Sequence, residues 1–233
     1  IKWKKKLNIN YWLRKIFVSK LFQLLPIKKK LFKKINFSSI FKSRHWVQKN
    51  ENLMKEEISV SGHGSNINTK QSKHLSYYFI KFLDRFSVCS ILDMLCGDFL
   101  WMNRIVKNKK IKYLGVDKVE DLIKKNKKNY EDKNINFLSF DLANFKTEEK
   151  FDLVFMWDFF IHISNDDIFK ILNNISKMNI KYFASENYDI NINLNTEIGK
   201  HRKINLQIEP FNLEKPIYSF KDYEEDKYIF FYK

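Results

Sequence analysis

Several features that would place this chain in a membrane or outside the cell are missing from its 233 residues. No apolar run reaches the roughly eighteen residues that a transmembrane helix requires, and lysines interrupt every stretch that could form a signal-peptide core. The two cysteines, Cys89 and Cys96, lie on one extended segment, where we expect neither a disulfide nor a metal site. These absences predict a cytoplasmic protein.

Acidic residues are missing from residues 1–50, which contain fifteen lysines and arginines. The remaining residues carry 28 basic and 27 acidic side chains, so the first segment supplies all but one unit of the formal net charge of +16. The basic isoelectric point is therefore no indication that residues 51–233 bind nucleic acid. We divide the chain into a basic extension, residues 1–50, and one domain, residues 51–233.

The extension also has an apolar pattern. Residues 10–25 are predicted to form an amphipathic helix, because their apolar side chains recur at three- and four-residue spacing beside basic ones. This apolar content favours binding of residues 1–45 to an anionic membrane surface, at the inner face of the membrane, over binding to nucleic acid. Packing of the same side chains on the domain or on a second copy is the alternative, and the oligomeric state stays undetermined.

Four apolar strands in the domain each lead into an acid. The segment Val88 to Asp98 is typical of a strand, a tight turn and the start of a helix. The acids that end this strand and the three later ones are Asp93, Asp117, Asp141 and Asp158. Because parallel strands with right-handed crossovers bring their carboxyl ends to one edge, the four acids should rim one cleft. The pattern predicts an α/β fold with a doubly wound, mostly parallel Rossmann-like sheet, and two aromatic segments near residues 217–232 should add an antiparallel edge hairpin.

The charges around this cleft indicate which class of nucleoside it binds. Asp117 follows Asp93 by about the spacing at which an acid binds ribose hydroxyls. A dinucleotide loop needs three glycines near the pyrophosphate, whereas this turn has only Gly97, and Asp98 would repel phosphate. Acidic side chains suit instead the ammonium and sulfonium of S-adenosylmethionine.

At these residues the chain resembles the class I S-adenosylmethionine-dependent methyltransferases. Four segments resemble a bacterial branch of that family whose substrates are largely unassigned: Ser59–Ser65, Cys96–Met102, Asp158–Ser164 and Arg202–Phe211. Three positions depart from the family pattern, Leu95 and Phe99 where glycine is common and Trp157 where the branch tends to have arginine.

The resemblance implies positions for the cofactor. Asp93 and Gly97 should frame its amino-acid end and Asp117 its ribose, while the third strand end holds adenine. The residues predicted to bind S-adenosylmethionine are Gly62, Gly64, Ser65, Asp93, Cys96, Gly97, Asp117, Asp141, Leu142 and Asp158.

The acceptor side of the site is predicted from the segments after the fourth and fifth strands. Asp158 and His162 are candidate catalytic residues, with His162 as general base or, alternatively, as a structural histidine that anchors its loop. Arg202, with Asn205, is a candidate for binding a substrate carboxylate or phosphate; a surface salt bridge is the alternative for Arg202.

These patterns predict methyl transfer to oxygen or nitrogen of a small molecule or glycan precursor. Two alternatives stay open, a nicotinamide-dependent oxidoreductase or epimerase, against which the missing glycines count, and a degenerate methyltransferase that binds without catalysing.

Overall fold

The computed structural model describes residues 58–62, 65–223 and 226–233. The predicted helix at residues 10–25 and the rest of the extension lie outside these ranges, as does Gly64. The helices in the described ranges are α1 (Lys70–Arg85), α2 (Met102–Lys109), α3 (Glu120–Tyr130) and α4 (Asn165–Ile175). The strands are β1 (Ser90–Met94), β2 (Lys112–Asp117), β3 (Ile135–Ser139), β4 (Phe151–Met156), β5 (Ile180–Tyr188), β6 (Tyr218–Lys221) and β7 (Lys227–Tyr232).

The strands form one seven-stranded sheet in the order β3-β2-β1-β4-β5-β7-β6. Neighbouring strands among β1 to β5 pair in parallel, and β7 pairs antiparallel with both β5 and β6. The predicted doubly wound sheet with an antiparallel edge hairpin is therefore confirmed. Strand order reverses between β1 and β4, which is where ligands bind in such sheets.

The core lies on both faces of the sheet, because successive side chains of a strand point to opposite sides. In β1, Leu92 and Met94 belong to one buried cluster and Ile91 to the other. Helix α1 packs on the second face, where the rings of Phe82 and Phe231 lie 3.8 Å apart between centroids. No helix in the described part of the chain is long and apolar enough to cross a bilayer.

Helix α4 follows the fourth strand and begins at Asn165. Ser164 is its N-cap, and the side-chain oxygen accepts a hydrogen bond from the Asp167 amide at 3.2 Å. Asn165, Asp166 and Asp167 therefore form its first turn, where acidic side chains complement the helix dipole.

Candidate active site

Two carboxylates lie buried at the carboxyl ends of the adjacent strands β1 and β2. Asp93 and Asp117 are each only 5 % exposed. The Tyr113 hydroxyl donates a hydrogen bond to Asp93 at 2.7 Å, yet burial, with a contribution from the charge of Asp117, raises the pKa of Asp93 to about 7. Burial also raises the pKa of Asp117, although its oxygens accept hydrogen bonds from the Gly97 and Val119 amides at 3.3 and 2.9 Å. The structure brings together the acid predicted to hold the amino-acid end of the cofactor and the acid predicted to hold its ribose.

The turn after β1 keeps a glycine-like backbone even where glycine is absent. Leu95, Gly97 and Phe99 all have positive φ values, 87°, 54° and 60°. The amides of Leu95 and Cys96 both donate to the Val116 carbonyl, at 2.7 and 3.2 Å, which fixes the turn over the end of β2. Since L-residues adopt this conformation only at a cost of about 1–2 kcal/mol each, surrounding contacts must hold it.

The side chain of Phe99 shows how that cost is offset. It is 1 % exposed, and its ring lies 4.6 Å from Tyr113, 5.1 Å from Phe137 and 5.4 Å from Tyr130 between centroids. The phenyl group therefore fills a core pocket between β2, β3 and α3, and these contacts stabilise Phe99 at its positive φ.

The segment before α1 packs directly against this turn. The Asp98 amide donates to the Ser61 side chain at 2.9 Å, and the Asp98 carboxylate accepts from the Val60 amide at 2.8 Å. A side chain at Gly97 would collide with Ser61, so close approach as well as positive φ requires glycine there. Gly62 has φ +136°, and its carbonyl accepts from the Ser65 amide at 3.1 Å. Residues 59–62 therefore pack against the turn after β1, through Val60 and Ser61.

The donor set around this turn fits S-adenosylmethionine. Asp93, Asp98 and Asp117 are carboxylates with pKa values raised by burial, so a bound cation would favour their ionised forms. Asp93 and Gly97 would hold the amino-acid end and Asp117 the ribose hydroxyls. Asp141, where adenine is expected, is half-exposed and forms an ion pair with Lys118 at 2.6 Å, and Leu142 beside it is buried. The individual assignments stay predictions.

A second charged cluster lies where β4, β5 and β7 meet, and its lysine was not predicted from the sequence. Lys227 is 1 % exposed; its Nζ lies 2.6 Å from Asp158 Oδ1 and 3.2 Å from Asp222 Oδ2. Burial alone would lower the pKa of Lys227, but the two carboxylates outweigh it and raise the pKa. Asp158, with φ +56°, is thus tied to the edge hairpin.

Glu186 on β5 is the second feature that the sequence patterns did not single out. Its Oε1 accepts hydrogen bonds from the amides of Phe160 at 2.8 Å and Ile161 at 3.4 Å. Burial and the charge of Asp158 raise the pKa of this carboxyl to about 7. Glu186 therefore anchors the 3-10 turn Phe160–His162 that presents the candidate base.

The ring of His162 is oriented by the loop that follows β5. Its Nδ1 lies 3.2 Å from the Lys200 carbonyl oxygen, and its own carbonyl accepts from the Gly199 amide at 2.9 Å. Because a carbonyl oxygen only accepts, Nδ1 must carry the proton in this contact, which leaves the lone pair of the neutral ring on Nε2. Burial lowers the pKa of His162, so the neutral form predominates at pH 7.

Arg202 lies beneath the same turn. Its Nη2 donates to the Ile163 carbonyl at 2.9 Å, and its backbone amide donates to the Ile161 carbonyl at 3.0 Å. Its side-chain Nε and Nη1 are buried with no hydrogen-bond partner among the described residues. Burial lowers the pKa of the guanidinium. Arg202 is therefore not a salt-bridged surface residue, and its unused donors suit an anionic group.

Asn205 is used within the fold. Its Oδ1 accepts from Gln207 N at 3.0 Å and from Asn187 Nδ2 at 3.3 Å, while its Nδ2 donates to the Ile190 carbonyl at 3.0 Å. These contacts hold the segment after β5 against β5 itself. A role for Asn205 in binding substrate stays a prediction.

Comparisons with known proteins agree with this geometry. Residues 91–179, which include the first motif and the acids that end β1 to β4, match the family model described as a methyltransferase domain. The methyltransferase domain of bacterial CtHen1-CN has a TM-score of 0.56 and 10 % identity, covering 70 % of this chain and 100 % of its own. An S-adenosylmethionine-dependent methyltransferase from Clostridium acetobutylicum ATCC 824 has a TM-score of 0.54 and 14 % identity, covering 70 % of this chain and 92 % of its own. The PH0226 protein from Pyrococcus horikoshii OT3 has a TM-score of 0.54 and 17 % identity, covering 72 % of this chain and 92 % of its own. No curated protein matches the sequence.

Proposed function

We propose that this chain, a class I S-adenosylmethionine-dependent methyltransferase, methylates an oxygen or nitrogen atom of a small molecule or glycan precursor. The class and the cofactor follow from the matched domain together with the fold. The same match selects methyl transfer over the nicotinamide-dependent alternative. The acceptor, and the residues that act on it, are the part we propose.

The orientation of His162 is the single observation that supports this chemistry. S-adenosylmethionine, when bound, supplies an electrophilic methyl group, and an oxygen or nitrogen acceptor must lose a proton as it is methylated. His162 is neutral at pH 7 and has its basic lone pair on Nε2, because Nδ1 donates to the Lys200 carbonyl. The imidazole can therefore accept the acceptor's proton.

The neighbouring residues have supporting roles in this proposal. Glu186 fixes the turn that carries His162, and Lys227 holds Asp158 just after the end of β4. Arg202 presents buried donors to an acceptor that carries a carboxylate or phosphate. Such an acceptor would be positioned by charge at Arg202 while its nucleophile lies near His162.

Calorimetric binding of S-adenosylhomocysteine, the product form of the cofactor, tests the cofactor site. Asp117→Ala should weaken binding about 10- to 100-fold, because it removes a charged hydrogen-bond acceptor worth roughly 1.5–3 kcal/mol. Asp132→Ala is the matched control, since Asp132 also accepts from two backbone amides, Asn134 and Ile135, but at the opposite end of the sheet.

Loss of affinity in both variants would point to general destabilisation, and no binding by the native chain at millimolar ligand would refute the site. Untargeted metabolite profiling with labelled S-adenosylmethionine would then identify the acceptor. A chain that binds the product tightly yet transfers label to nothing in the extract would instead be a binding module.

We also propose that residues 1–45 bind an anionic membrane surface. Fifteen basic and no acidic residues occur in residues 1–50, together with the apolar side chains that an interfacial helix places among acyl chains. The enzyme would then act as a peripheral protein at the cytoplasmic face of a membrane.

A further inference from the structure

The segment that follows β5 exposes large aliphatic side chains beside the candidate active site. We call residues 190–199 the asparagine loop. Ile192 is 72 % exposed, Leu194 69 % and Ile198 37 %. The loop lies at the carboxyl edge of the sheet, because it follows β5 directly and its Gly199 amide donates to the His162 carbonyl at 2.9 Å.

The polar side chains between these aliphatic ones point the other way. Asn193 Nδ2 donates to the carbonyls of Asn205 at 2.7 Å and Glu209 at 2.8 Å, and its Oδ1 accepts from the Asn205 amide at 2.8 Å. Asn195 Oδ1 accepts from the Asn165 amide at 2.9 Å, at the start of α4. The loop thus turns its amides inward and its aliphatic groups toward solvent.

In water, the hydrophobic effect favours buried aliphatic side chains and exposed amides, whereas this loop buries its asparagine side chains and exposes its aliphatic ones. This arrangement is also fixed, since the loop cannot turn Ile192 or Leu194 inward without breaking the three hydrogen bonds of Asn193. Packing within the described part of the chain therefore does not account for the exposed aliphatic side chains. An apolar partner beyond the described residues would account for them.

The size of the apolar surface indicates what that partner is. A stable protein interface buries about 800 Å² on each partner, which three side chains on one loop cannot supply. A bilayer interface needs only a few aliphatic groups among its acyl chains.

The distribution of charged side chains is consistent with a lipid surface as the partner. Near the loop, Lys200 pairs with Glu197 at 3.0 Å and Lys203 with Asp226, so these four charges neutralise one another. The cations that attract an anionic leaflet lie in residues 1–50. We propose that the asparagine loop docks on a lipid surface, with Ile192 and Leu194 inserted among the acyl chains.

Partition of the full chain into vesicles of phosphatidylcholine with phosphatidylglycerol tests the proposal in 1 M salt, where the Debye length is only about 3 Å and attraction by lysines is largely screened. The variant is Ile192→Asn with Leu194→Asn, which leaves Asn193 and Asn195 unchanged. The matched control is Ile217→Asn: Ile217 is 41 % exposed, and its amide donates to the Phe231 carbonyl, beside the amino-terminal half of β5 and away from the loop.

We expect the double variant to partition at least about tenfold more weakly than the native chain, since it loses the burial of two aliphatic groups. The control should match the native chain. Equal partition of all three proteins would overturn the proposal. So would a native chain that dimerises in sedimentation equilibrium while the double variant does not, because a second copy would then be the occupant.

S-adenosylhomocysteine affinity, measured on the same three proteins, separates this proposal from the proposed function. The loop contributes none of the predicted cofactor residues, so affinity should be equal in all three. Failure of all three to bind the nucleoside would count against the cofactor site and leave the vesicle result standing.

Discussion

His162 is held as the neutral tautomer that a general base requires. We expect His162→Ala to reduce kcat by about 10² to 10⁴, the usual contribution of such a base, with S-adenosylhomocysteine affinity unchanged. Because burial lowers the pKa of His162 from 6.5, its active neutral form is complete at lower pH than for a free imidazole. Native activity should therefore rise with pH below 6.5 and then level off, and the variant should lack this rise.

The neighbouring His201 provides the control for that experiment. Its ring lies 5.8 Å from the ring of His162 between centroids, so His201→Ala alters the same surroundings without removing the proposed base. A His162→Ala protein with full activity and an unchanged pH profile would assign His162 to the structural role, as the anchor of its turn. Equal losses in both variants would indicate a disturbed loop.

Single residues also show where sequence reasoning is limited. Leu95 and Phe99 replace glycines that the family commonly has in the turn after β1. The sequence alone left open whether the turn keeps its shape. The structure shows both at positive φ, with Phe99 packed against Tyr113 and Phe137. The direction of a side chain in a turn depends on core packing from other strands, which a local motif does not contain.

At the scale of elements, the hairpin of β6 and β7 completes the candidate site as well as the sheet. Lys227→Met should lower the free energy of unfolding by about 3–5 kcal/mol, because it leaves the carboxylates of Asp158 and Asp222 without their buried partner. Denaturant titration measures the loss. Lys221→Met on the neighbouring strand β6 is the control, since Lys221 is exposed and should change stability by less than about 0.5 kcal/mol.

If both lysine variants had the same free energy of unfolding as the native chain, the buried ion pairs would contribute nothing to stability. Another contact would then have to hold Asp158. A drop confined to Lys227→Met, with a matching loss of activity, would identify Lys227 as a positioning residue. Rescue of stability by Lys227→Arg, which keeps the charge, would separate charge from packing.

The elements themselves were largely predictable. The apolar strands that lead into acids and the aromatic hairpin were correctly predicted, since periodicity of two and a following acid are local signals. The contact of Lys227 with Asp158 was not predictable, because it joins residues far apart in the chain. The same holds for Glu186, whose partners Phe160 and Ile161 lie 26 and 25 residues before it. Strand β5 runs to Tyr188, because its last residues pair with β7 at the far side of the sheet, which no local pattern contains.

At the scale of the whole molecule, the charge asymmetry between the extension and the domain leads to a test. Full-length protein should pellet with anionic vesicles at low salt much more than residues 46–233 do, since each lysine or arginine near an anionic leaflet contributes about 1 kcal/mol. Neutral vesicles should reduce this difference. Any binding that the shortened chain retains in 1 M salt would belong to the asparagine loop.

Equal pelleting of the two proteins with anionic vesicles would contradict the membrane proposal for residues 1–45. Tighter and salt-sensitive binding of the full chain to RNA than to vesicles would replace lipid with nucleic acid as the partner. Titration at several salt concentrations distinguishes the two, because the slope against salt reports how many phosphates are contacted.

The Val60 amide donates a hydrogen bond of 2.8 Å to the Asp98 carboxylate. The segment that leads from residues 1–45 therefore joins the domain at the turn after β1. At about 3.3–3.6 Å per extended residue, the fourteen residues 46–59 reach at most roughly 50 Å. Residue 45 is thereby confined within that radius of the candidate active site, and the partner that residues 1–45 bind is held in its neighbourhood. A tether of this length gives effective concentrations on the order of millimolar, so an acceptor carried by that partner would meet the enzyme at such a concentration even when it is scarce in the cell.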